Sequence, residues 1–130
     1  MLKVSPEVPF LMKTATPTAI QARPAVRGAV AEFVAAVRAA DGAKVQAVVL
    51  YGSVARGEAR PDSDVDLLVR WGGEEPEGRA IVDAIADGIF LRTGVLVAPL
   101  VVAGTHWQHL VDIESMFLAN IQREGIVVEG

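Results

Sequence analysis

The stretch AVVLYGSVARGEARPDSDVDLLVRW, residues 47 to 71, constrains this chain more than any other. It opens on an apolar, β-branched run, Ala47 to Tyr51, with the length of a buried strand. Gly52-Ser53 follows at once, then a short polar segment containing Arg56-Gly57. Arg60-Pro61-Asp62 is a turn signal, with proline suited to the first corner. Ser63-Asp64-Val65-Asp66 then leads into the apolar Leu67-Leu68-Val69. Residues two apart on an extended strand face the same way, so Asp64 and Asp66 aim their carboxylates together, roughly 7 Å apart at Cβ. Two unpaired carboxylates that close repel each other. A divalent cation between them is the natural remedy.

The rest of the chain supplies the elements that must carry this stretch. Pro24 sits at the first turn of a helix, and Val26, Val30, Phe33, Val34 and Val37 recur at the spacing of one helical face before Asp41-Gly42 ends it. Gly72-Gly73-Glu74-Glu75-Pro76 reads as a loop. A second amphipathic helix is predicted from about Gly78 to Thr93, with Ile81, Val82, Ile85, Ile89 and Phe90 buried and Gly94 just past its end. Val95 to Val102 is almost wholly apolar and reads as a strand covered on both faces, with Pro99 demoting its second half to an edge or a bulge. Thr105 is a candidate cap for a last helix, open to a break in its middle, that turns Trp107, Leu110, Ile113, Phe117 and Ile121 inward. Arg123-Glu124-Gly125 closes it, and Ile126-Val127-Val128 is a short final strand. The prediction is an α/β (α+β) fold: a small mixed β-sheet of three or more strands flanked by helices.

Residues 1–23, with their prolines and threonines, read as an irregular N-terminal arm, either mobile or packed as an extended strand on a neighbour. Residues 24–130 form one domain, since 130 residues suffice for one core and not for two. Val8-Pro9-Phe10-Leu11-Met12 is too short and interrupted for a signal segment, and no run reaches the length of a membrane span. The expected location is cytoplasmic. An apolar fraction of 52% argues against disorder, and the absence of cysteine excludes disulfides, thiolate metal sites and a cysteine nucleophile. The net charge of −4 removes the broad attraction that tight nucleic-acid binders use. Among the basic residues only Lys3, Lys13 and Lys44 are lysine, so the positive charge present suits bidentate phosphate contact.

Gly52-Ser53, Arg56-Gly57 and Ser63-Asp64-Val65-Asp66-Leu67 together resemble the signature of the DNA polymerase beta-type nucleotidyltransferases. Chain size and element order resemble the small, minimal nucleotidyltransferase branch. The resemblance implies that superfamily's palm-like fold and a divalent-metal-dependent transfer of a nucleoside monophosphate from a (d)NTP to a hydroxyl. It implies Asp64 and Asp66 as catalytic residues and ligands of Mg²⁺ or Mn²⁺, with Gly52, Ser53, Arg56 and Ser63 against the nucleotide. A glycine lets the triphosphate approach the backbone, and a serine hydroxyl with nearby amides donates to its oxygens. One departure matters. The family's third carboxylate lies on the next strand, where the matching place here is about Ala98, and no acid occurs between Asp87 and Asp112.

Plainer roles compete at each position. Ser53 could be the N-cap of an ordinary strand-to-helix turn, and Ser63 a turn residue. Asp64 and Asp66 could line the polar face of an edge strand. Arg56 either clamps phosphate or pairs with Asp62 or Asp64. His106 and His109 have helical metal-ligand spacing but lack a third ligand, and read as a half-exposed pair. Three functions follow: a transferase whose acceptor is a partner protein, as in antitoxins that modify a helical HEPN ribonuclease toxin; an enzyme extending a nucleic-acid 3′ end, for which Arg56, Arg60, Arg70 and Arg92 are the candidate groove; or a binding module for nucleotide or partner. The charge balance favours the protein acceptor, and a homo-oligomer stays open.

Overall fold

The computed structural model describes residues 12–130. Its elements are β1 (Lys13–Thr14), α1 (Pro24–Asp41), β2 (Val45–Tyr51), α2 (Gly52–Ala55), β3 (Val65–Trp71), α3 (Glu75–Thr93), β4 (Val97–Ala103), α4 (Gly104–Asp112), α5 (Met116–Glu124) and β5 (Ile126–Glu129), with a 3₁₀ turn at Pro17–Ala19. The strands form one five-stranded mixed sheet in the order β1-β5-β2-β3-β4. β2 runs antiparallel to β3 and β5, whereas β3–β4 and β1–β5 are parallel.

Period-2 alternation along the central strands explains why helices cover both faces. One face presents Val48, Leu50, Leu67, Val69, Trp71 and Val101 to α1 and α3. The other presents Val49, Leu68 and Val102 to Trp107 of α4 and to Leu118 and Ile121 of α5. α1 begins at Pro24 and buries Val26, Val30, Phe33, Val34 and Val37, as the periodicity predicts.

α3 begins three residues before the predicted start, at Glu75. The Gly-Gly-Glu-Glu-Pro run imitates a loop, yet a proline at the first helical turn lacks only an amide that has no helical partner there. Gly78, inside α3, costs about 1 kcal/mol against alanine, but a Cβ there would collide with the indole of Trp71, so the glycine permits close packing. Val82 and Ile89 are buried and Ile81 and Ile85 half-buried, whereas Phe90 is 46% exposed, contrary to expectation. Gly94 adopts φ +76° and its N–H caps Phe90 O at 2.8 Å.

β4 lies at the sheet edge, where Pro99 is tolerated; Ala98, Pro99 and Leu100 are half-buried, so the strand is not covered on both faces along its length. The last helix is indeed broken, at Glu114 with φ +53°. Ser115 Oγ accepts from Leu118 N and caps α5, while α4 starts from Ala103, so Thr105 is not the cap. Ile113 falls at the break and is 57% exposed instead of inward. In the arm, Lys13 and Thr14 pair with Ile126 and Val127, and Met12 and Ile20 are buried. The arm before Met12 lies outside the described residues. Among the described residues no helix is long and apolar enough to cross a membrane.

Candidate active site

β2 ends at Tyr51, and Gly52 turns the chain with φ +74°. That conformation suits glycine, and the space demands it as well, because a Cβ on Gly52 would collide with the carboxylate of Asp66. The loop then closes on its own backbone: Arg56 N donates to Gly52 O at 3.1 Å, Gly57 N to Val54 O at 3.2 Å and Glu58 N to Ser53 O at 2.9 Å. Gly57 takes φ +73°. The 60–63 turn is held by Ser63 N donating to Arg60 O at 3.0 Å and Arg60 N donating to Ser63 Oγ at 2.8 Å. Arg23 ties this turn to α1 through Pro61 O at 3.0 Å.

Sheet register brings the acidic stretch together with its neighbours. Asp66 lies opposite Tyr51 on β2 and opposite Ala98 on β4, so the three side chains share one sheet face. Asp64 is two residues before Asp66 and exposed. This row lies on the α4/α5 face of the sheet. Tyr51 stacks edge-on against Phe117 of α5 with ring centroids 5.6 Å apart. Ala98 stands in line with the carboxylates, as the resemblance implies, and brings no oxygen. Among the described residues no third carboxylate or histidine joins Asp64 and Asp66 in a metal-ligating cluster.

The electrostatics are those of an acid pair in want of a cation. Partial burial, and then the neighbouring Asp64, push the Asp66 carboxyl above its usual range, while Arg56 pulls it down. Neither aspartate forms a hydrogen bond or ion pair among the described residues. Burial and Asp66 raise the Tyr51 hydroxyl. Arg56 pairs with Glu58 at 3.4 Å and with Glu124 of α5 at 3.3 Å, not with Asp62 or Asp64. Ser53 forms no side-chain cap on α2, so its half-exposed hydroxyl remains available to a ligand. An all-oxygen donor pair in direct contact with no basic side chain among the described residues fits a hard cation of the Mg²⁺ or Mn²⁺ class.

The sequence profile of the family described as the nucleotidyltransferase domain matches residues 30–114, from α1 through the α4/α5 break. The chain belongs to this family. As a nucleotidyltransferase domain of minimal size it has the family's fold, a mixed sheet flanked by helices. A crystal structure from Sulfolobus solfataricus, itself only provisionally assigned as a nucleotidyltransferase, shows a TM-score of 0.49 and 16% identity over 82% of this chain and 87% of its own. No curated protein is significantly similar in sequence.

In this nucleotidyltransferase domain Gly52 packs directly against Asp66, Asp64 lies two residues before it on the same stretch, and the Arg56 charge acts on Asp66. Ser63 holds the turn beside them. His106 and His109 do not belong to the site: His106 Nδ1 bonds Glu75 at 2.7 Å, at the start of α3 beyond the carboxyl end of β3, and His109 is exposed. Sequence reasoning missed Tyr51 and Glu124. Tyr51 carries a signal in retrospect, since it alternates with Val49. Glu124 carries none, because only the fold brings α5 to Arg56.

Proposed function

We propose that this chain transfers a nucleoside monophosphate from a (d)NTP to a hydroxyl group, and that its acceptor is a partner protein, of which a HEPN-type toxin is the kind the resemblance implies. The observation that carries the reading is the contact between Gly52 and Asp66, which puts two unpaired carboxylates beside a turn open to phosphate. Gly52 keeps side-chain atoms out of the path of the triphosphate, and Ser53 donates its hydroxyl to a phosphate oxygen. Arg56 exchanges Glu58 and Glu124 for phosphate, a stronger bidentate partner. Asp64 and Asp66 hold the divalent ion, which would stabilise the charge developing on the transferring group.

Charge placement supports a protein acceptor over nucleic acid. The arginines that would line a groove are scattered: Arg92 pairs with Glu32 on the α1/α3 side, and Arg70 is buried at the far end of β3. The test is incubation with labelled triphosphates, Mg²⁺ or Mn²⁺, and protein or oligonucleotide acceptors in separate reactions. Label on protein but not on oligonucleotide is the expected result. Label confined to the oligonucleotide would reject the acceptor.

The register of Ala98 favours a second reading, a module that binds nucleotide and has little turnover. General-base assistance is worth ~10²–10⁴-fold, so its loss slows chemistry without abolishing binding. Ala98→Asp should add affinity for a second divalent ion and raise the transfer rate. A folded variant with neither gain would favour the binding module.

A further inference from the structure

Two large apolar side chains stay exposed beside the carboxylate end of β3. Phe90, in the last turn of α3, and Leu96, just before β4, are each 46% exposed. Both line a groove of about 400 Å³, with Val26, Pro61, Asp62 and Asp64 among its other walls. The strand register accounts for Leu96. Asp66 lies opposite Ala98, and Val65 N donates to Leu96 O at 2.9 Å, so Leu96 falls beside Asp64. Gly94, at φ +76°, turns the chain between α3 and β4, and Phe90 and Leu96 end on the same groove.

This groove lies on the flank left for an acceptor. Gly52 packs against Asp66 from the end of β2, so the turn open to phosphate stands on one side of β3. β4 and Leu96 stand on the other. An in-line displacement places the attacking and leaving oxygens on opposite sides of the phosphorus. A triphosphate held from the Gly52 side therefore meets its acceptor from the β4 side, past Leu96.

The walls select the kind of acceptor. Asp62 and Asp64 form no ion pair among the described residues, while Arg23, the basic residue at the groove, donates to Pro61 O at 3.0 Å. Two acids against one arginine disfavour the phosphates of a nucleic-acid end. Its bases would also find a single aromatic ring, Phe90, where single-strand binders offer several. A protein segment meets both demands: a large apolar side chain covers Phe90 and Leu96, and a lysine or arginine answers Asp62. We infer that this groove docks the segment of a partner protein that carries the acceptor hydroxyl, with an apolar side chain against Phe90 and Leu96 and a basic one beside Asp62. That docking rests on the proposed transfer reading, yet it can be measured without any transfer.

The probe is a set of dye-labelled peptides of about twelve residues, each with one serine, threonine or tyrosine and one lysine. A leucine or phenylalanine lies within about four residues of the hydroxyl, a reach of roughly 13 Å in extended chain. Fluorescence anisotropy with the full chain, without triphosphate, should show saturable binding of at least one peptide. Replacing its apolar residue by glycine should weaken it about tenfold or more, the worth of burying a side chain of that size. Phe90→Ser and Leu96→Ser should each remove most of that difference, and Asp62→Asn should erase the preference for lysine over glutamine. All three variants should keep Mg²⁺ and triphosphate binding at Asp64 and Asp66. The docking is overturned if no peptide binds, if the folded Phe90→Ser and Leu96→Ser chains keep the difference, or if Asp62→Asn keeps the lysine preference. It is also overturned if sedimentation finds a dimer of the parent that Phe90→Ser separates, which would give the groove to a second copy. Asp62 is exposed, so its variant decides the matter even if the other two do not fold. Peptides that bind through Phe90 and Leu96 but never take label would count against the transfer reading while the docking surface stands.

Discussion

The two ends of β3 treat acidic residues in opposite ways. At the amino end Asp64 and Asp66 face each other's charge, and Asp66 is held above the usual carboxylate range by burial and by Asp64. Just past the carboxyl end Glu75 is also partly buried, yet the Ala103 amide and His106 outweigh that burial and hold it below the usual range. Arg79 adds a contact at 3.2 Å. One acid is satisfied by its fold and the other two are not. Folding alone gains nothing from Asp66 in its charged form, which agrees with the cation-binding role proposed for that end.

The sharpest way to break this contrast is Asp64→Asn with Asp66→Asn. Divalent-dependent triphosphate binding should fall at least about a hundredfold, since even outer-shell losses cost 10–100-fold, while the melting temperature holds or rises. Unchanged metal titration in the folded double variant would defeat the assignment.

Glu75→Ala attacks the satisfied end. It leaves the Ala103 amide unpaired and removes the His106 bond, so stability should fall by about 2 kcal/mol with metal binding at Asp64 and Asp66 unaffected. Denaturant midpoints and metal titration separate the two effects.

Ser53→Ala should cost about 1 kcal/mol of triphosphate affinity, the worth of a hydrogen bond to a charged group at an exposed site. A structural role would instead lower the melting temperature and leave affinity alone.

The smallest effect is on pH dependence, and the two ends should differ in sign. Asp66 is raised in the folded state, so the fold binds its proton more tightly than the unfolded chain and stability falls as pH rises through the window between the two values. Glu75 is lowered, so its contribution is present above the unfolded carboxylate value and fades as pH falls through the folded one. Asp66→Asn should therefore gain stability relative to the parent at neutral pH and not at acidic pH. Glu75→Ala should lose it at neutral pH and approach the parent in acid. Denaturation at a series of pH values checks both.

The amino end of β3 was legible in the sequence because its determinants are local. Gly52-Ser53 and Asp64-Val65-Asp66 lie within one hairpin-like unit, and period 2 alone orients the aspartates. Even Ala98 could be placed, since β4 follows one crossover helix. The carboxyl end was not legible. Glu75 reads as part of a polar loop, and its partners Ala103 and His106 arrive from another element through a parallel register that no pattern in the chain announces. Phe90 and Ile113 failed for a related reason: periodicity finds an apolar stripe but cannot show where the partner surface stops. The partners of Arg56 depend on where α5 comes to rest.

Synthesis delivers the strands in an order that the sheet does not follow. β5 emerges after every other described strand, yet its place is between β1 and β2. β2, β3 and β4 are contiguous and can pair as they leave the ribosome, with Gly52, Asp64 and Asp66 already in register. Until Ile126 to Glu129 appear, one edge of β2 stays open, and β1 has no strand to join. An open edge of β-branched residues is a template for foreign strands. Nascent chains halted before Ile126 would thus carry a complete carboxylate row on a sheet prone to wrong pairing, and the last four-residue strand both seals that edge and captures the arm.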